Sequence, residues 1–112
     1  MLTFGAFAGG NVTLGWDLYT NDVTVDTIKI YVAPGTNVFT TGTTAGATIV
    51  ASTSSTNVSL TVSNLTSGYW TFCATAYNSV NGLESSPTSN QLSAKLVPVA
   101  PSNFKVLTVL VK

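Results

Sequence analysis

GYWTFCATAYN, residues 68 to 78, is the stretch around which the rest of this 112-residue chain is organised. Side chains of a β-strand alternate between its two faces, so this stretch predicts a strand with bulky side chains on both sides. One face carries Trp70, Phe72, Ala74 and Ala76, and the other carries Tyr69, Thr71, Cys73, Thr75 and Tyr77. A strand with two bulky faces belongs inside a sheet, and we expect the Trp70 face to lie on the core.

Six further segments show strand-like patterns separated by turn residues, and none shows helical periodicity. They are residues 2–8, 11–18, 27–33, 49–51, 58–62 and 89–96. The abundance of Thr, Ser, Val, Asn and Gly, with few helix formers, is also typical of β proteins. The sequence therefore predicts an all-β domain with seven antiparallel strands in a sandwich. Its predicted core consists of Trp16, Ile28, Ile30, Leu60, Trp70 and Phe72.

The composition argues against several classes of function. The formal net charge is zero, charged residues make up 7 %, and the chain has neither His nor Arg. Four scattered Lys residues cannot form the basic surface that a nucleic acid requires. A catalytic site needs a base matched to a nucleophile, or paired carboxylates, so we expect no enzyme activity and no cofactor. No stretch approaches the ~20 continuous apolar residues of a membrane span.

Two groups of reactive side chains have simple structural interpretations. Asp17, Asp22 and Asp26 lie in one segment between predicted strands. A calcium site needs six or more oxygen ligands, often on alternate residues around a Gly turn, so this looser spacing predicts solvated carboxylates and no metal site.

Cys73 has no second Cys to pair with. Nothing near it would lower its pKa, and we therefore expect a small buried side chain.

Four motifs, in order along the chain, resemble a fibronectin type III domain. They are VTLGW (12–16), IKIYV (28–32), a spaced series from Leu65 to Asn78, and GLESSPTSN (82–90). The resemblance covers residues 2–96 and implies a Greek-key order of the seven strands. It implies a core position for Trp16, and it places Trp70 where the family usually has a Tyr with a hydroxyl clamp. In this chain the clamp is either absent or made by the indole N–H.

Residues 98–112, PVAPSNFKVLTVLVK, follow the predicted domain of residues 1–97. Pro98 and Pro101 predict a stiff, extended linker. A β-rich run then begins at Phe104; both of its faces are largely apolar, so we expect an extra C-terminal strand that is covered on both sides. Its predicted partner-binding residues are Phe104, Val106, Leu107, Thr108, Val109, Leu110 and Val111. The run also looks like the first strand of a following domain of the same type.

Three tyrosines form a second candidate surface. Tyr31, Tyr69 and Tyr77 are predicted to face outward on neighbouring strands. An exposed aromatic patch of this kind could bind a sugar or another protein. Ordinary cross-strand pairing of the three rings is the alternative.

Three functions are compatible with this sequence. The first is a non-enzymatic structural or assembly protein, such as a phage virion decoration or accessory subunit assembled in the bacterial cytoplasm. It would bind other protein subunits through its sheet edge and its C-terminal strand. The lack of a basic N-terminal segment, and so of a visible signal peptide, favours this hypothesis. The alternatives are a carbohydrate- or receptor-binding module, and a spacer domain of a secreted enzyme or adhesin, either of them extracellular or at the cell surface.

Overall fold

The computed structural model describes residues 10–36, 38–39, 43–87, 91–98 and 100–111. These residues form seven strands and no helix, which confirms the all-β prediction. The strands are β1 (Gly10–Gly15), β2 (Thr27–Pro34), β3 (Ile49–Ser54), β4 (Ser59–Leu65), β5 (Gly68–Asn78), β6 (Leu83–Glu84) and β7 (Leu92–Leu96). The strand predicted over residues 2–8 lies outside the described residues.

The strands form two antiparallel sheets in a sandwich-like arrangement. One sheet contains β1 and β4, and the other has the order β3-β2-β5-β6, with β7 also paired to β5. β5 is the longest strand and lies at the centre of the larger sheet. One side of it pairs with β2 along Trp70 to Tyr77, and the other side pairs with β7 and then with β6. The quoted stretch therefore organises the sheet as the sequence predicts.

The core lies between the two sheets, against the Trp70 face of β5. Its buried members are Leu14, Ile28, Ile30, Val32, Val62, Leu65, Phe72 and Ala76. Of the predicted core residues, Ile28, Ile30 and Phe72 are buried, whereas Trp16, Leu60 and Trp70 are partly buried and pack against them. Full burial of a large apolar side chain such as Ile30 or Phe72 stabilises the fold by about 1.5–3 kcal/mol. The inward-facing side chains of the strands therefore supply a large part of the stability of the domain.

The opposite face of β5 is covered more completely than its alternation alone indicates. Thr71, Cys73 and Thr75 are all buried there. A second, small cluster forms where Phe39 packs with Ala33 and Cys73. The Gln91 side chain holds this segment, because its Oε1 accepts the Phe39 N–H at 2.9 Å and its Nε2 donates to the Phe39 carbonyl.

Both tryptophans anchor loops through their indole N–H groups. Trp70 Nε1 donates to the carbonyl of Thr66 at 2.9 Å, across the turn that joins β4 to β5. Trp16 Nε1 donates to the carbonyl of Asn57 at 3.0 Å, just before β4. Gly68, which begins β5, has a φ of 132°, a conformation that strains residues with a Cβ. The indole bond and the glycine together fix the entry into β5.

Three details differ from the sequence-based prediction. The two-residue strand β6 was not predicted, and the last strand of the domain spans Leu92–Leu96, with residues 88–90 outside the described part. The extra strand predicted from Phe104 onward is wrong for the single chain, because described residues 104–111 form no strand. A strand exists only with a partner for its backbone N–H and C=O groups, and this segment has none among the described residues.

Candidate functional site

The most distinctive surface of the molecule is the segment of residues 104–111, which we call the C-terminal arm. It follows a turn at Ser102 and Asn103, where Asn103 has a φ of 56°. The chain measures 75 × 27 × 27 Å, longer than a compact domain of this size, and neither core cluster contains a residue of the arm. The arm therefore presents a separate surface and does not form part of the core.

All seven predicted partner-binding residues lie on the arm and are exposed. The exposed fraction of the six large apolar ones is between 73 % and 90 %; they are Phe104, Val106, Leu107, Val109, Leu110 and Val111. Monomeric proteins rarely expose so many neighbouring apolar side chains without a partner that covers them. The backbone of the arm is also free of ladder bonds among the described residues, so it can pair with the edge of another sheet.

The three tyrosines do not form one aromatic platform. Tyr69 and Tyr77 are eight positions apart on β5, which separates them by about 26 Å along the strand. Tyr31 on β2 lies opposite Cys73, midway between them. The structure therefore places the predicted residues on one face but does not bring them together. Each tyrosine has instead its own polar neighbour.

Two of the tyrosines lie beneath lysines. Lys29 Nζ lies 3.8 Å from the centre of the Tyr77 ring, and Lys95 Nζ lies 5.5 Å from the centre of the Tyr69 ring. A cation over an aromatic ring is attracted by about 0.5–1 kcal/mol at exposed sites. Each lysine covers one face of its ring, and that face is not free to stack on a sugar.

Tyr31 belongs to a polar cluster around Glu84 that the sequence did not reveal. Glu84 Oε2 accepts hydrogen bonds from the Tyr31 hydroxyl and from the Thr75 hydroxyl, the latter at 2.6 Å. Glu84 Oε1 lies 3.7 Å from Lys29 Nζ. The one sequence signal for this cluster is that Glu84 is the only Glu in the chain. No feature of the sequence near Glu84 indicates that its side chain meets Tyr31, some fifty positions earlier.

The cluster shifts the pKa of two of its members in opposite directions. Burial, and then the Glu84 carboxylate, raise the pKa of Tyr31 to about 12. Burial alone would raise the pKa of Glu84, but the hydrogen bonds from Thr75 and Tyr31 and the charge of Lys29 outweigh it and lower that pKa. The carboxylate is thus held in its ionised form, with both oxygens engaged by neighbours. This arrangement stabilises the outer face of the sheet.

The aspartates predicted as loop acids serve separate turns. Asp22 Oδ1 accepts from the backbone N–H and the hydroxyl of Thr24, and these bonds lower its pKa. Asp26 accepts from the hydroxyl and the backbone N–H of Ser79, which lower its pKa and tie the turn before β2 to the turn after β5. Asp17 is exposed. Within the described residues, no group of three metal-ligating side chains comes together.

Cys73 is a free, buried cysteine in the middle of β5. Burial raises the pKa of its thiol, which reduces the fraction present as the reactive thiolate. This environment agrees with the structural role expected from the sequence.

Comparisons with protein-family models, with curated proteins and with solved structures find no match to this chain. No helix capable of crossing a membrane occurs in the part of the chain that the structure describes. The arm remains the surface whose exposure most requires an explanation.

Proposed function

We propose that this chain is a non-enzymatic assembly protein that binds other protein subunits by adding its C-terminal arm to the edge of a β-sheet. The observation that carries the proposal is the exposure of the arm's apolar side chains along its whole length. In strand addition, main-chain hydrogen bonds supply affinity and alternate side chains enter pockets of the acceptor. The arm has both requirements: its backbone pairs with no strand of the described residues, and both of its faces carry apolar side chains.

The domain that carries the arm is, in our proposal, a Greek-key sandwich of the fibronectin type III kind. The pairing of β1 with β4 and the central position of β5 between β2 and β7 support it, since such sandwiches join strands that are distant in sequence. The Trp70 indole supports it as well, because its N–H clamps the chain at Thr66, where the family's Tyr hydroxyl would act.

We place this role in a virion, with the chain as a decoration or accessory subunit of a phage particle. Small, nearly uncharged domains of this kind resemble those that bacteria and their phages carry on virions and cell surfaces, and this chain has only 7 % charged residues. A domain with few charges attaches through apolar and main-chain contacts, which do not depend on counterion release.

A spacer domain is the second candidate, and the linker is the observation that favours it. Pro98 and Pro101 make the segment after β7 stiff. In a spacer, the arm would be the first strand of a following domain and would be covered within the same polypeptide. The two candidates differ in whether the arm is covered by a separate protein.

The test is incorporation of full-length chains into particles. The variant Val106→Asp with Leu110→Asp introduces two charges into the arm, and it leaves the domain intact because the arm makes no described contact with the core. Val23→Asp is the matched control, since Val23 is 97 % exposed on a turn far from the arm in sequence. We expect the control to be incorporated like the parent and the arm variant to be lost from purified particles. Equal incorporation of all three chains would refute the assembly role.

A further inference from the structure

Within the part of the chain that the structure describes, an apolar groove lies between β1 and β7, each of which pairs with one strand. The two strands approach closely at one end, where a Cβ on Gly10 would come within 2.0 Å of Leu96 Cδ2. Near Leu14 and Leu92, toward the other end of the two strands, there is a groove of about 150 Å³. Its apolar lining includes Leu14, Trp16, Phe72 and Leu92.

The edge of β7 beside this groove has no strand partner in the described residues. β7 pairs with β5 on one side only. Its inward side chains begin with Leu92, which is half-exposed although it lies opposite the buried Phe72. An extra strand on this edge would cover Leu92 and place alternate side chains over the groove. The groove is thus apolar and lies where an added strand would direct its inward side chains.

The arm of the same chain does not reach this seat by folding back. The chain turns at Ser102 and Asn103. If it reversed there, arm residues 104–108 would lie beside residues 97–101. Only residues 109–111 would then run beside β7, and they would stop at Ala94, short of Leu92.

We propose that the occupant of the groove is the C-terminal arm of a second copy of this chain, so that two copies exchange arms. This inference rests on the proposed function of the arm. Among the described residues, the arm is an apolar segment without a strand partner and the β7 edge at the groove has none either, and a second copy of the chain supplies a partner for each. Closed twofold pairs of this kind are the commonest soluble oligomers.

The area of the contact favours a reciprocal exchange. One arm of eight residues is much smaller than the roughly 20–30 residues that each partner contributes to a standard interface, whereas two reciprocal arms double the contact. Lys105 stays in water, so alternation directs Phe104, Val106 and Leu110 inward, and Leu110 meets the groove beside Leu92. An antiparallel register that places Leu110 beside Leu92 also places Val106 beside Leu96.

Analytical ultracentrifugation of full-length chains tests the exchange. We expect a parent dimer at micromolar concentration, and monomers for an arm variant (Val106→Asp with Leu110→Asp) and for a groove variant (Leu92→Asp). Circular dichroism establishes that each variant is folded. A mixture of the two variants keeps one intact arm and one intact groove. It should form a heterodimer at least about ten-fold weaker than the parent dimer, because one of the two contacts is lost.

Cross-linking provides a second measurement that does not depend on destabilising variants. Chains with Leu92→Cys and chains with Leu110→Cys, mixed under mild oxidation, should form the mixed disulfide, whereas Val23→Cys with Leu110→Cys should not. Cys73 does not compete because it is buried.

A parent chain that is monomeric at all concentrations overturns the exchange. So does a failure of the Leu92→Cys and Leu110→Cys chains to form the mixed disulfide while the parent is a dimer, because the arm would then lie elsewhere in that dimer. In either case the assembly role still stands if the arm variant fails to enter particles. If the arm variant enters particles normally, the assembly role itself fails.

Discussion

Replacing Glu84 with Gln tests whether the polar cluster on the outer face of the sheet stabilises the fold. The substitution preserves the shape of the side chain and removes its charge. The carboxylate accepts hydrogen bonds from Tyr31 and Thr75 and lies 3.7 Å from Lys29 Nζ. The amide oxygen of Gln can replace one oxygen as an acceptor, but it cannot keep the attraction to Lys29.

The expected loss follows from the exposure of these groups. The side chains of Lys29 and Glu84 are 25 % and 27 % exposed, so the ion pair contributes no more than about 1 kcal/mol. A hydrogen bond to a charged group contributes about 1.5–3 kcal/mol, and the low end applies to this partly exposed site. We expect Glu84→Gln to lower the free energy of unfolding by about 1 kcal/mol, and Glu84→Ala by about 2 kcal/mol.

The pH dependence gives a sharper result than the loss itself. The folded-state pKa of Glu84 is lower than its ordinary value of 4.5, so its contribution is present above that value and is lost as the pH falls through the folded-state pKa. Urea denaturation should therefore show a difference between parent and Glu84→Gln that is constant near neutral pH and shrinks in acid below pH 4.5. Asp17→Asn is the control and should leave the curve unchanged. Equal unfolding free energies of parent and Glu84→Gln at every pH would refute the proposed role of the cluster.

Three further outcomes test the description of the fold and of the arm. Trp16→Ala should lower the free energy of unfolding by about 3 kcal/mol, the low end for an aromatic deletion, because the ring is only partly buried; a melting temperature within a degree or two of the parent would contradict its packing. Cys73 should not react with a thiol reagent until denaturant is added, because it is buried and its pKa is raised; rapid labelling of the native protein would contradict this. Since the net charge is zero, binding of the chain to particles should change little between low and moderate salt in a sedimentation assay; a steep loss would argue against apolar and main-chain contacts.

The amino-acid sequence by itself determined which residues form the centre of the fold. The alternation in Gly68–Asn78 predicted β5, and it predicted that Phe72 and Ala76 face the core. The same local pattern located β2 and the inward positions of Ile28 and Ile30. Local periodicity suffices for these features because a strand that packs on a core must bury every second side chain.

Only the tertiary structure decided what covers the other face and which groups meet there. Gln91 holds Phe39 from 52 positions away, and Tyr31 meets Glu84 from 53 positions away. The arm likewise could not be assigned from its sequence alone, because it has the composition of a strand but forms none in the single chain. Alternation predicts which side chains point away from the core. It does not specify the distant residue or the partner strand that contacts them, because those contacts form only when separate segments are brought together.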